Sequence, residues 1–293
     1  MPYNSLSNFV QVLENAGELR RISYPVKAEL EIAEIADRVM KAGGPALLFE
    51  SVSGKNIPLL INAFGSIKRM AMALGVNDIE EIAKKIAKLV QIQPPKAFKE
   101  KIQLAGELIK LAGLPPKIVK DGACREVIQH DPDLTILPVL TCWPGDAGPF
   151  ITLPMVFSKD PVKGTRNVGL YRLQVFDART TGMHWHLHKV GARHFQHRKG
   201  SVGKMELAVC LGGDPAMIYA ATAPLPDQID EILFAGFLRN KGMELIKGVT
   251  VDVEVPANSD IVIEGYVDPA EPLRREGPFG DHTGFYSLAD DYP

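Results

Sequence analysis

No stretch of this chain approaches the roughly 18 consecutive apolar residues that a membrane-spanning helix needs. Residues 1–9, MPYNSLSNF, lack the basic start and apolar run of a secretory signal. Both absences point to the cytoplasm. The 293 residues hold only three cysteines, Cys124, Cys142 and Cys210, scattered and odd in number, which suits a reducing compartment and argues against a disulfide framework. Excess charge is lacking too. With 33 Lys+Arg against 35 Asp+Glu, a net charge of -2 and a pI near 6.4, nucleic-acid binding is a poor candidate for the main role, although residues 189–204 are locally basic. There is no internal repeat and no low-complexity tract. The chain also has no G-x-G-x-x-G or Walker pattern to cradle a nucleotide phosphate, no H-E-x-x-H helix and no cysteine cluster for zinc.

What remains is an ordinary globular composition, 46% hydrophobic and 23% charged. The length suggests two domains. Pro94-Pro95 and Pro115-Pro116 break the pattern, which puts a boundary near residue 117. Before it, amphipathic helices over 5–17 and 30–42, strands over 46–50 and 57–62, a helix capped by Asn77 or Asp78, and a helical run over 97–111 make an α+β unit over 1–117. Beyond it, strands dominate residues 118–293: 124–129, 136–140, 150–157, 205–211, 250–255 and 261–266, with helices near 192–197 and 228–239. The loop at 142–149, CWPGDAGP, is dense in turn residues. The fold class is therefore α+β, with an N-terminal α+β domain followed by a β-rich domain.

Residues 167–189, NVGLYRLQVFDARTTGMHWHLHK, are the part around which the rest is organised. Apolar and polar residues alternate on either side of a Gly-containing break at 177–182, the pattern of a hairpin. On its second run His184, His186 and His188 fall two apart, which puts three imidazoles on one strand face, with Trp185 and Leu187 on the other. Such a row invites an anion or a metal. Zinc is the first thought, but no acidic neighbour accompanies the row, and Asn167 with a carboxylate from elsewhere suits a harder ion such as manganese or magnesium. Tyr171 and Trp185 could stack on a ring, but strand aromatics more often pack a core. Near the end, Glu276, Asp281 and His282 stand in a glycine-rich loop. They are either solvated loop charges, or a carboxyl tuned upward by burial to donate a proton while Arg172 holds a neighbouring carboxylate ionised.

The combination of residues 167–172 (NVGLYR), residues 185–188 (WHLH), Pro226-Asp227 leading to Glu231 and Phe234-Ala235-Gly236, residues 254–257 (EVPA), and residues 276–284 (EGPFGDHTG) resembles the UbiD family of decarboxylases, in register along the whole chain. The resemblance implies a β-rich, split-barrel-like flavin domain, prenylated FMN with manganese and often potassium, and removal of carboxylate from an aromatic or unsaturated acid. It implies Asn167, His188 and Glu231 as metal ligands, and Leu170, Tyr171, Arg172, His184, Trp185, His186, Lys189 and Val190 as cofactor contacts. Arg172, Glu276 and Asp281 match the family's catalytic trio, with Asp281 as proton donor, expected to be buried near Glu276 with a raised pKa. The substrate expected first is a 3-polyprenyl-4-hydroxybenzoate of ubiquinone biosynthesis, with an acid of menaquinone synthesis or aromatic catabolism as the alternative. A flavin prenyltransferase would supply the cofactor, and a polyprenyl tail could bring the protein to the inner membrane surface. Family members continue for well over a hundred residues past the position of Pro293, into a dimerising C-terminal domain. A chain stopping here is expected to fold or turn over less well, and a noncatalytic flavin- or metal-binding remnant and a zinc hydrolase are the rival readings.

Overall fold

The computed structural model describes residues 3–90, 114–186, 189–199, 203–226 and 229–293. The chain opens with α1 (Leu6–Asn15), whose first turn is capped by the Ser5 hydroxyl accepting the Asn8 N–H at 3.1 Å. Phe9 and Leu13, four residues apart on one face, are fully buried against Ala46, Ala63 and Ala73. β1 (Leu19–Ile22) runs parallel to β2 (Ala46–Phe49), and β3 (Leu59–Ile61) pairs antiparallel on the far side of β2. The crossover is α2 (Glu31–Lys41), burying Ile32, Ala33 and Ala36. The short helix α3 (Ile67–Ala73) carries Arg69, only 1% exposed, whose guanidinium donates to the Asn62 and Gly44 carbonyls and to Glu18. A buried charge needs such a full set of acceptors. α4 (Glu80–Val90) follows, and Leu74 and Ile82 pack with Ala216 and Leu238 of the later part of the chain.

The second part is built on an antiparallel sheet in the order β13 (Ile261–Val267), β10 (Met205–Leu211), β6 (Met155–Lys159), β7 (Arg166–Leu170). Strand side chains alternate faces, and both faces are buried here. Met155, Phe157, Val168, Ala208 and Cys210 pack to one side with α6 (Pro215–Ala220) and α7 (Glu231–Arg239). Val156, Leu207 and Val209 pack to the other, with Tyr171, Trp185 and Phe195 of α5 (Val190–Lys199). A second sheet, β5 (Phe150–Ile151), β8 (Leu173–Val175) and β9 (Thr181–Met183), stands beside it. A third joins β12 (Glu254–Pro256), β11 (Glu244–Lys247) and β4 (Lys117–Ile118). No helix among the described residues is long and apolar enough to cross a membrane.

The α+β class holds, and several local expectations change. Residues 123–125 and 134–136 form 3₁₀ turns rather than the expected strands at 124–129 and 136–140. The strand expected over 150–157 breaks into β5 and β6 at Pro154, which has no N–H for a ladder. The strand expected over 250–255 shrinks to β12. Of the hairpin expected over residues 167–189, β8 and β9 pair with each other, β7 belongs to the larger sheet, and residues 187–188 lie outside the described residues. The terminal glycine-rich stretch, expected as irregular, folds into two small ladders: β14 (Arg274–Glu276) with β17 (Asp290–Tyr292), and β15 (Phe279–Gly280) with β16 (Tyr286–Ser287). The helix expected over 97–111 lies outside the described residues.

Candidate active site

Arg172 occupies the gap between β7 and β8, where the chain leaves one sheet for the next, and its carbonyl accepts the His184 N–H at 3.1 Å. Its guanidinium lies 4.6 Å from the Phe279 ring centroid and 5.9 Å from that of Phe150, so two aromatic faces brace it. Nε donates to Glu276 Oε1 at 2.7 Å and Nη2 to Oε2 at 3.0 Å, a two-pronged pair. Glu276 is 0% exposed. Its second partner is His184, whose Nδ1 stands 3.0 Å from Oε2. An ionised carboxylate only accepts, so the proton belongs on Nδ1, and Nε2 is left facing the Tyr292 hydroxyl at 3.5 Å. The 2.9 Å approach of Arg172 Nη2 to His184 Nδ1 then sets two donors side by side on one oxygen, while the other Nη2 hydrogen reaches Ser287 Oγ at 3.0 Å. Burial is the largest influence on the Glu276 carboxyl and pushes its pKa up, but the bonds from His184 and Arg172 outweigh it and hold the carboxyl below its ordinary value.

The segment that follows Glu276 is pinned against residues 142–149. Gln174 of β8 accepts the Gly277 N–H at 2.8 Å and donates to the Ala147 carbonyl at 3.1 Å. The Ala147 N–H in turn reaches the Pro278 carbonyl at 2.9 Å. Asp146 Oδ1 accepts the Gly280 N–H at 2.6 Å, while Oδ2 takes the N–H groups of Cys142 and Trp143 at 3.0 and 2.9 Å. Gly280 sits so close to the Trp143 indole that a Cβ there would come within 2.2 Å of it. The turn-rich loop is thus a template on which the terminal loop is laid.

A second polar group lies along β7. Asn167, 4% exposed, donates to the Tyr171 hydroxyl at 3.3 Å, and the Gly191 N–H of α5 reaches the same oxygen at 3.2 Å. Glu231, the first residue of α7, accepts the Val168 N–H at 3.1 Å, and burial pushes its carboxyl pKa up. An amide oxygen at Asn167 and a carboxylate docked on the next residue are hard oxygen donors, which fits a manganese-like cation. His188, the third ligand implied by resemblance, lies outside the described residues, among which no group of three His, Cys, Asp or Glu stands in metal-holding geometry. Trp185 is 6% exposed and its indole N–H is buried without a partner. Lys189 and His186 are exposed beside the start of α5, and Leu170 and Val190 are half-buried. An unused donor, a cation at a helix start and oxygen ligands nearby fit a phosphorylated ring cofactor.

Residues 117–293 match the model of the 3-octaprenyl-4-hydroxybenzoate carboxy-lyase Rift-related domain, and residues 10–89 that of the corresponding N-terminal domain. The chain belongs to the UbiD family. It is 50% identical to an uncharacterized protein of Aquifex aeolicus over 99% of this chain and 60% of that one. It superposes on an evolved dimeric form of the UbiD-class enzyme HmfF from Pelotomaculum thermopropionicum, in complex with prFMN, at 32% identity and a TM-score of 0.86, covering 99% of this chain and 63% of that one. The vanillic acid decarboxylase of Sedimentibacter hydroxybenzoicus in its open form gives 27% identity and a TM-score of 0.84 over 100% of this chain and 60% of that one. The chain therefore spans about 60% of the length of these relatives.

Within this UbiD-family chain two expectations are corrected. Asp281 is not a buried carboxyl with a raised pKa: its side chain is 45% exposed and it accepts from His282 Nδ1 at 2.6 Å. Partial burial pushes the carboxyl up, but the His282 backbone and ring bonds prevail and its pKa is lowered. The histidine row is corrected as well: His184 and His186 lie beyond β9, which ends at Met183, and His188 lies outside the described residues. His184 and His186 nevertheless stay adjacent, with ring centroids 4.8 Å apart, while Trp185 turns into the core. Sequence reading missed Gln174, Asp146, Ser287 and Tyr292. Only Asp146 left a trace, as an acceptor placed three and four residues after the N–H groups of a turn.

Proposed function

We propose that this chain carries the cofactor-binding part of a prenylated-FMN-dependent carboxy-lyase that removes carboxylate from an aromatic acid, with a 3-polyprenyl-4-hydroxybenzoate as the first acid to try. The observation that carries the reading is the pair that Arg172 makes with the fully buried Glu276, 2.7 Å apart and braced by Phe150 and Phe279. Arg172 turns Nε and Nη2 to Glu276, His184 and Ser287, which leaves the Nη1 side of its fork to bind an acid carboxylate. The two rings beside it suit an aromatic body.

When bound, the flavin supplies an electron sink for the carbanion that loss of carbon dioxide leaves behind. Asn167, Glu231 and His188 would hold manganese against its phosphate. Leu170, Tyr171, Arg172, His184, Trp185, His186, Lys189 and Val190 would line the cofactor, with potassium as a further ion. Glu276 stays ionised and fixes Arg172. Asp281 lies on the template-held loop and delivers the proton at the reacting carbon; substrate closing over it would strip its water and lift its pKa toward that task. A flavin prenyltransferase as supplier, a homo-oligomer of the kind expected for full-length family members and contact of a prenyl tail with a membrane surface belong to the same proposal. The test is carbon dioxide release by protein co-expressed with a flavin prenyltransferase, offered 3-polyprenyl-4-hydroxybenzoate, vanillate and 4-hydroxybenzoate. Release that vanishes in Arg172→Ala supports the reading, and no release from any of the three overturns the proposed substrate class.

A further inference from the structure

The Glu276 carboxylate is held by donors of two kinds, from two directions. Arg172 reaches it from the gap between β7 and β8, and His184 from just beyond β9, whose Gly182 would place a Cβ only 3.5 Å from that of Glu276. Both nitrogens of His184 are engaged, Nδ1 with Glu276 and Nε2 facing the Tyr292 hydroxyl, and the two rings lie 4.4 Å apart between centroids. The imidazole therefore has no free nitrogen to offer a ligand, and only its ring is left to line the cofactor. Its backbone N–H is bonded to the Arg172 carbonyl, so the two donors share one register.

We infer that His184 is a positioning residue that donates its Nδ1–H to Glu276 Oε2, locking the carboxylate in one orientation beside Arg172, while Tyr292 fixes the tautomer from behind. The inference rests on the proposal that Arg172, fixed by Glu276, binds the acid carboxylate. The charged and titratable groups facing Glu276 are Arg172 and His184, with Tyr292 and Asp290 on β17, where Asp290 is its partner in register, and Asp281 near Arg172. Of the nearby cations and donors, Arg172 and His184 bond it directly. Tyr292 is itself held protonated, its pKa raised first by burial and then by the charges of Asp290 and Glu276, as a hydrogen-bond donor to Nε2 must be. A ring that merely filled space would have no need of a hydroxyl behind it or of a carboxylate in front.

The test is the titration of the Glu276 carboxyl by carbon-13 NMR in protein labelled with side-chain-labelled glutamate, the resonance being assigned with Glu276→Gln. His184→Phe keeps a ring against Tyr292 and removes the donor; the Glu276 midpoint is expected to rise by about one pH unit. His184→Asn places an amide N–H near the Nδ1 position and is expected to bring the midpoint back toward that of the wild type. Should the Phe variant fail to fold, His184→Gln, whose amide reaches the Nε2 position instead, is expected to show the same rise. A midpoint unchanged in the Phe or Gln variant, or one that Asn leaves raised, overturns the inference. The titration needs neither cofactor nor substrate, so absence of decarboxylation would count against the proposed reaction alone.

Discussion

The Gln174 side chain joins Ala147 to Gly277, accepting at 2.8 Å and donating at 3.1 Å from a position only 6% exposed. The residue before Gly277 is Glu276, so this amide fixes where the buried carboxylate begins. Replacing Gln174 by Ala leaves the Gly277 N–H and the Ala147 carbonyl without a partner. The expected cost is about 1–3 kcal/mol of stability, read by urea unfolding with an unchanged slope. A loss under about 0.5 kcal/mol would show that the two loops do not depend on it.

Gly280 makes the same dependence visible from the other side. A Cβ at Gly280 meets the Trp143 ring at 2.2 Å, so Gly280→Ala forces apart the terminal loop and its template. About 1–3 kcal/mol of destabilisation is expected, with a larger fractional loss of turnover than Gly284→Ala, whose Cβ meets nothing within 4 Å. Gly284 has a φ of +84°, so its own substitution carries backbone strain and is a stringent comparison for stability. Equal turnover in the two variants would contradict the template role.

Acid should act through Glu276. Its folded-state pKa lies below the unfolded value, so its contribution is present above the unfolded pKa of about 4.3 and is lost as pH falls through the lower folded value. Wild type should therefore be more stable than Glu276→Gln at pH 7, with a gap that narrows once the pH drops below about 4. A gap that stays constant from neutral pH to acid would show that the carboxylate is not held ionised. Thermal melting across that range decides between them.

Manganese is expected to raise the melting temperature of the wild-type chain, because an ion that binds only the folded state stabilises it by mass action. Glu231→Ala should abolish that rise while leaving the α7 cap at Asp230 intact, since Asp230 bonds the Ile232 N–H at 2.7 Å by itself. An undiminished rise in the variant would place the ion elsewhere.

Much of the fold could be read locally. Ser5 and the pair Phe9 and Leu13 announce α1, and the alternating apolar run of β10 announces a strand. β1 was hidden because Arg20 and Arg21 stand in a four-residue strand, and Arg21 is there to pair with Glu14 and Glu50. The two ladders of the terminal loop were hidden because they rest on partners far away in sequence: Gly280 lies against Trp143, and the Tyr286 hydroxyl accepts the Gly145 N–H. At the candidate site, motif likeness picked out Arg172 and Glu276, 104 residues apart, whereas spacing alone left their meeting undecided. Asp281 shows the opposite limit: its environment is set by its neighbour His282 and by solvent, which a motif does not record.

The most direct measurement is the absorbance spectrum and metal content of the protein co-expressed with a flavin prenyltransferase. A flavin spectrum with about one manganese per chain is expected, both lost together in Asn167→Ala. Colourless protein carrying zinc, or flavin and metal retained in full by that variant, would contradict it.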